Sequence, residues 1–205
     1  MTKMATVALL ALSMGSASAT AEIAPDVLAR SVTDEVMTIV RADKEQGSSA
    51  PRLAQLVEAK VLPHFNFTHM TQLALGRNWR QASPEQQKLL IDEFRALLVR
   101  TYTTALMQYR EQTVAYRPLR SAPTDTEVVV KSLIKQPAGQ PVTIDYNMEK
   151  LGDTWKVYDV RIEGISLVEN YRSTFHSEIQ KNGMDGLIKA LAAKNKALGA
   201  QAGDR

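Results

Sequence analysis

The stretch Val142–Ile162, reading VTIDYNMEKL, then Gly152-Asp153, then TWKVYDVRI, decides how this chain folds. Both runs are rich in β-branched and aromatic residues, and a two-residue link joins only antiparallel neighbours. Working upstream, Glu127–Ile134 is a third strand, reached through the turn signal Pro137-Ala138-Gly139. Thr113–Leu119 is a fourth, reached through Ser121-Ala122-Pro123. Alternation places Val128 and Val130, then Ile144, Tyr146 and Met148, then Tyr158, Val160 and Ile162 on one face. Lys131, Asp145, Asn147 and Glu149 fall on the other face, with Trp155 and Val157 as an outlying apolar pair. One side of the sheet therefore faces a core, and the other is mixed.

Helices flank this sheet on both sides in sequence. Upstream, Pro25 to about Gln46 carries Val27, Leu28, Val32, Val36, Ile39 and Val40 at helical spacing. Shorter helices are expected near Pro51–Lys60 and over Phe65–Leu75, the latter stopped by Gly76. Ser83, Pro84 and Gln86 then form an S-x-x-Q capping box with proline at the first helical position. It opens an amphipathic helix of about 25 residues bearing Leu90, Phe94, Leu97, Leu98, Tyr102, Ala105, Leu106 and Tyr109. Downstream of Gly164, Leu167–Lys181 and Asp185–Leu198 return to helix around Asn182-Gly183, and Gly199–Arg205 reads as a frayed tail. Helices packed on one face of a curved antiparallel sheet of about four strands make an α+β fold.

The N-terminus reads as an export signal. Lys3 supplies a positive start, Met4–Met14 is an apolar run of eleven residues, and Ala17-Ser18-Ala19 and Ala19-Thr20-Ala21 both fit the A-x-A cleavage pattern. The run is too short to span a bilayer, which takes roughly 20 residues. Residues 1–21 are thus expected to be a signal peptide and 22–205 one domain, helical over 22–112, sheet over 113–163 and helical again over 164–198. With 0 Cys among its 205 residues, the exported domain stands on its core without disulfides, and thiol chemistry is excluded. The formal net charge is only +3 and the basic residues are mixed with acids, so no stripe suited to nucleic acid emerges.

Catalytic candidates are few. His64, His69 and His176 are the only histidines, and a spacing of five does not set His64 and His69 on one helix face for a shared metal. No zinc-protease, nucleophile-elbow, phosphate-loop or EF-hand pattern occurs. Asp159 and Glu163 sit roughly 13 Å apart by strand rise, beyond the separations of paired-carboxylate catalysis. Asp159 reads instead as a structural acceptor for backbone donors or an arginine. No catalytic residue, metal ligand or cofactor site is expected. What stands out is apolar: a long helix, a one-sided sheet and terminal helices all present wide apolar faces. An ordinary packed core is the default reading, and periodicity alone does not separate it from a ligand cavity.

Seven segments carry a resemblance. VLPHFNF (61–67) leads into LALGRNWR (73–80), ASPEQ (82–86) and FRALLVRTY (94–102); WKVYDV (155–160), IEGISLV (162–168) and GMDGL (183–187) follow in order. Together they resemble the MlaC family, also called the toluene-tolerance or ABC-transporter auxiliary family, over nearly all of the chain after the signal. Asn66 departs from the family's commoner Asp. The resemblance implies a periplasmic carrier that holds a diacyl phospholipid as cargo, in a fold related to the NTF2-like group. It also implies transient exchange with an inner-membrane ABC transporter complex, through its MCE-domain subunit, and with an outer-membrane lipoprotein complex, so as to maintain outer-membrane lipid asymmetry. The competing readings are an exported adaptor with a packed core and an NTF2-like enzyme using Asp159 or a histidine.

For a lipid cavity, bulk and central position single out Leu98 and Tyr102 on the long helix, Tyr146, Tyr158 and Val160 on the sheet, and Ile165 and Val168 after it. The headgroup is expected to stay in water at the mouth.

Overall fold

The computed structural model describes residues 23–45, 50–106, 112–136 and 139–203. The expected signal peptide, Tyr109 and most of the Pro137-Ala138-Gly139 turn lie outside them. Helix α1 (Pro25–Glu45) is followed by α2 (Ala50–Lys60), α3 (Phe67–Leu75) and α4 (Pro84–Leu106). The strands are β1 (Thr113–Tyr116), β2 (Glu127–Lys135), β3 (Val142–Leu151), β4 (Thr154–Ile162) and the two-residue β5 (Ile165–Ser166), and the chain closes with α5 (Arg172–Gly203). The five strands form one antiparallel sheet in sequential order, each pairing with its neighbour in the chain. The fold is α+β, with helices before and after a meander.

Local chemistry explains the element ends. The capping box at α4 forms: Gln86 N donates to Ser83 Oγ at 3.2 Å, and Ser83 N donates to Gln86 Oε1 at 3.0 Å. Helix α3 starts at Phe67, two residues later than the sequence suggests. Phe65 pairs with Val157 of β4 as a parallel bridge, and the Asn66 side chain caps the helix by accepting from His69 N at 3.1 Å. Strand β1 stops at Tyr116 instead of Leu119: Arg117 N still donates to Lys131 O, but Pro118 has no N–H to continue the ladder. The helix expected from Leu167 begins only at Arg172, after β5 and a short turn over Glu169–Tyr171. Gly183, at φ 72° and ψ −176°, breaks α5 in a conformation reserved for glycine.

The tail expected to fray is helical through Gly203. A Cβ at Gly199 would stand 2.8 Å from Arg100 Nη1, so glycine lets that guanidinium lie across the helix, where it donates to the Asn195 carbonyl. Asn195 Nδ2 reaches back to Glu93 Oε2 at 2.6 Å and Glu93 O at 2.9 Å. These contacts tie the end of α5 to α4.

One strand departs from simple alternation. Asn147 pairs with Asp159 and Met148 with Val157, leaving Tyr158 as an extra residue in β4. A bulge adds one residue to its strand, so the alternation changes phase across it. Trp155 and Val157 thereby join Val128, Val130 and Met148 in the buried apolar face, beneath Leu28 and Ala29 of α1. The expected assignment of Trp155 and Val157 to the opposite face, and of Tyr158 to the apolar one, is reversed.

The apolar interior falls into three clusters. One joins α1 to the sheet, a second packs α3, α4 and α5 with Val168, and a third joins α1 to α2 through Val40, Leu53 and Val57. Phe65, only partly buried, touches all three.

Candidate functional site

The apolar sheet face is covered unevenly. At one end Val128, Val130, Met148, Trp155 and Val157 are buried beneath α1. Toward the other end Ile144, Tyr146, Val160 and Ile162 share that face and are only half-buried. They form a continuous strip, because Ile144 pairs with Ile162 and Tyr146 with Val160 directly across the β3–β4 ladder. Ile165 sits opposite Ile162 on β5 and is 65% exposed, so the strip runs to open solvent at the sheet edge. Tyr146 and Val160 border the α1–sheet cluster, and the part of the strip that stays open beyond it is a surface for an apolar ligand.

The seven residues singled out from sequence do not converge on one place. Tyr146 and Val160 meet in the strip, and Ile165 stands at its edge. Leu98, Tyr102 and Val168 belong instead to the cluster of α3, α4 and α5, where Leu98 and Val168 are buried. Burial and a hydrogen-bonded neighbour, Tyr171, push the Tyr102 phenol up to about 12. Tyr158 lies on the reverse face of the sheet, its ring stacked 4.4 Å from that of His69. His69 Nδ1 is 2.9 Å from Glu149 Oε1, and Asn66 Nδ2 donates to the same oxygen at 2.7 Å. An Asp at position 66 would set a second carboxylate against Glu149, which the Asn amide avoids.

Sequence reasoning missed a group of hydroxyls at the border of the strip. Tyr116 OH donates to Ala29 O at 3.1 Å and to Thr33 Oγ1 at 2.6 Å, and Thr33 Oγ1 lies 3.5 Å from Tyr146 OH. Arg30 covers the Tyr116 ring at 4.6 Å, and burial raises the Tyr116 phenol well above its ordinary range. No local signal announces this group, because its members are separated by 83 and 113 residues in the chain.

Asp159 takes the structural role expected of it. Its buried carboxylate accepts from Ser166 Oγ at 2.8 Å and lies 3.5 Å from Arg161 Nε. Ser166 Oγ in turn accepts from Glu169 N at 2.9 Å and Val168 N at 3.2 Å, which fixes the turn leading into α5. Glu163 turns away to accept from Thr143 N and Thr143 Oγ1. Among the described residues no group of three or more His, Asp or Glu side chains could hold a metal ion, and no helix is long and apolar enough to cross a membrane.

Two further hollows are open, charge-lined grooves of unlike chemistry. One of about 530 Å³ runs along Arg117, Arg120, Glu127, Lys131 and Tyr158 on the reverse face of the sheet. The other, of about 730 Å³, lies between the end of α3 and the start of α5, by Arg77, Asn78, Arg172 and His176. In both, charged side chains interrupt the apolar lining.

Comparison with known proteins places this architecture. Residues 30–193 match the family model described as MlaC protein. The chain is 25% identical over 178 residues to the intermembrane phospholipid transport system binding protein MlaC of Haemophilus influenzae, covering 85% of this chain and 83% of that protein. It is 26% identical over 163 residues to the toluene tolerance protein ttg2D of Pseudomonas putida, covering 78% and 75% respectively. Among solved structures, the phospholipid-binding protein of Ralstonia solanacearum, determined in complex with a phospholipid, superposes with a TM-score of 0.78 at 41% identity. That match covers 85% of this chain and 98% of the other.

Proposed function

The chain belongs to the MlaC family, and from that membership we propose that it is a periplasmic phospholipid-binding protein that carries lipid between membrane complexes. The observation that carries this reading is the half-buried strip of Ile144, Tyr146, Val160 and Ile162, open at Ile165. Acyl chains laid on it remove apolar surface from water on both partners, at roughly 0.8 kcal/mol per methylene. That supplies the affinity without covalent chemistry, so the protein acts as a carrier and not as an enzyme. Support comes also from the Ralstonia relative, which holds a phospholipid and shares 41% of its residues with this chain.

In this reading the exchange partners are an inner-membrane ABC transporter complex, met through its MCE-domain subunit, and an outer-membrane lipoprotein complex. The modest net charge, +3 for the whole chain and one less once Lys3 leaves with the signal, suits a carrier that must leave anionic membrane surfaces again. Native mass spectrometry of the mature protein, purified without detergent, tests the central claim. One diacyl phospholipid per chain is the expected result. Protein recovered free of lipid from membrane-replete cells, and unable to take up phospholipid from vesicles, would overturn it.

A further inference from the structure

The strip contains one hydroxyl whose proton is poorly used. Tyr116 spends its own proton on Ala29 O and Thr33 Oγ1, at 3.1 and 2.6 Å, and thereby ties α1 to the sheet. Tyr146 reaches Thr33 Oγ1 only at 3.5 Å, the long limit of a hydrogen bond, and makes no more than a weak contact with the Tyr116 hydroxyl. Ser132, on the same face, is buried and donates to Ile144 O at 3.1 Å. Tyr146 thus presents a weakly bonded, half-buried phenol O–H beside Val160 and Ile144, where a well-placed acceptor is worth more than in water. The group that complements it is an acceptor without protons of its own, attached directly to apolar chains.

Resting on the phospholipid reading above, we propose that Tyr146 OH donates a hydrogen bond to an acyl-ester carbonyl of the bound lipid. The ester is the chemical class that fits: it accepts but does not donate, and it sits where a lipid passes from hydrocarbon to glycerol. Such a contact sets how far the acyl chains run along the strip and leaves the phosphate in water. Tyr146 then selects for acyl esters over other chain attachments and reads nothing of the headgroup.

Ether-linked lipids test this directly, because they keep the chains and headgroup but lack the carbonyls. Delipidated protein is titrated with a diacyl glycerophospholipid and with its dialkyl ether analogue of equal chain length and headgroup. The wild type is expected to favour the ester about fivefold, the yield of one neutral hydrogen bond. Tyr146→Phe should bind both alike. Thr33→Val, which removes the competing acceptor, should keep or enlarge the preference. A wild-type ratio near one, or a Tyr146→Phe protein that retains the wild-type ratio, overturns the proposal. Should Tyr146→Phe fail to fold, Thr33→Val decides: loss of the preference there makes Thr33 the donor and overturns the assignment to Tyr146. A wild type that binds neither lipid refutes the phospholipid reading itself.

Discussion

Asp159 is the one carboxylate sealed inside the described chain, at 2% exposure, and its surroundings pull in opposite directions. Burial raises its pKa. The hydrogen bonds from Ser166 and from the Val168 backbone, and the charge of Arg161, oppose that shift without cancelling it. A raised value in the folded state means that the fold holds this proton more tightly than the unfolded chain does. The stability it contributes is fully present below the ordinary carboxylate pKa of 3.8 and is lost as the pH rises through the raised value. Asp159→Asn removes this titration while leaving an oxygen for Ser166. The melting temperature of the variant, measured relative to wild type, should therefore climb between about pH 4 and neutrality. A difference that stays flat or falls over that range would show that burial does not raise the Asp159 pKa. Its partner Ser166, seven residues downstream, could have been paired with it from the sequence only if the β4–β5 reversal at Gly164 had been read as a hairpin.

At the scale of elements, the sheet and α4 were legible because their periods are strong: two for β3 and β4, three and four for α4, with a capping box to mark the start. The phase change in β4 was written in the sequence too, since Trp155 and Val157 alternate out of step with Val160 and Ile162. Read without a bulge, that pattern misplaces both residues and Tyr158. The bulge makes a specific demand. Asn147–Asp159 and Met148–Val157 are the ladder pairs on either side of Tyr158, so removing it brings together two registers that already match. Deletion of Tyr158 is expected to give a folded protein, with Trp155 fluorescence still blue-shifted. The cost should be about 1 kcal/mol, from loss of the stack on His69. Unfolding, or a red shift reporting Trp155 in water, would mean that the bulge holds the strand together instead of merely turning it. The hydroxyl group of Thr33, Tyr116 and Tyr146 was illegible for a different reason: nothing periodic links α1 to β1 and β3, and only the closed fold brings them together.

At the scale of the whole molecule, the separation of the apolar clusters decides where a ligand is accommodated. A domain of this size ordinarily closes one contiguous core; here the sheet with α1 and the layer of α3, α4 and α5 are consolidated apart and joined through partly buried Phe65. Val160 lies in the half-buried strip on one side of that division, and Val168 is fully buried on the other, although only the β4–β5 hairpin separates them in sequence. Sequence reasoning could not divide them, since a buried valine and a ligand-lining valine have the same alternation. Substitution by a large side chain divides them experimentally. Tryptophan at Val168 must displace packed neighbours, at about 1–3 kcal/mol, with no ligand surface gained or lost. Val160 only borders its cluster and is half-buried, so tryptophan there extends over the open part of the strip and competes with the acyl chains. Val160→Trp should therefore hold its thermal stability when delipidated and carry markedly less phospholipid. Val168→Trp should melt earlier, while its folded fraction carries the wild-type load. Lipid extraction and thermal denaturation on the two purified variants read both quantities. If Val168→Trp loses lipid at unchanged stability while Val160→Trp unfolds, the ligand lies in the helical layer and the strip is core.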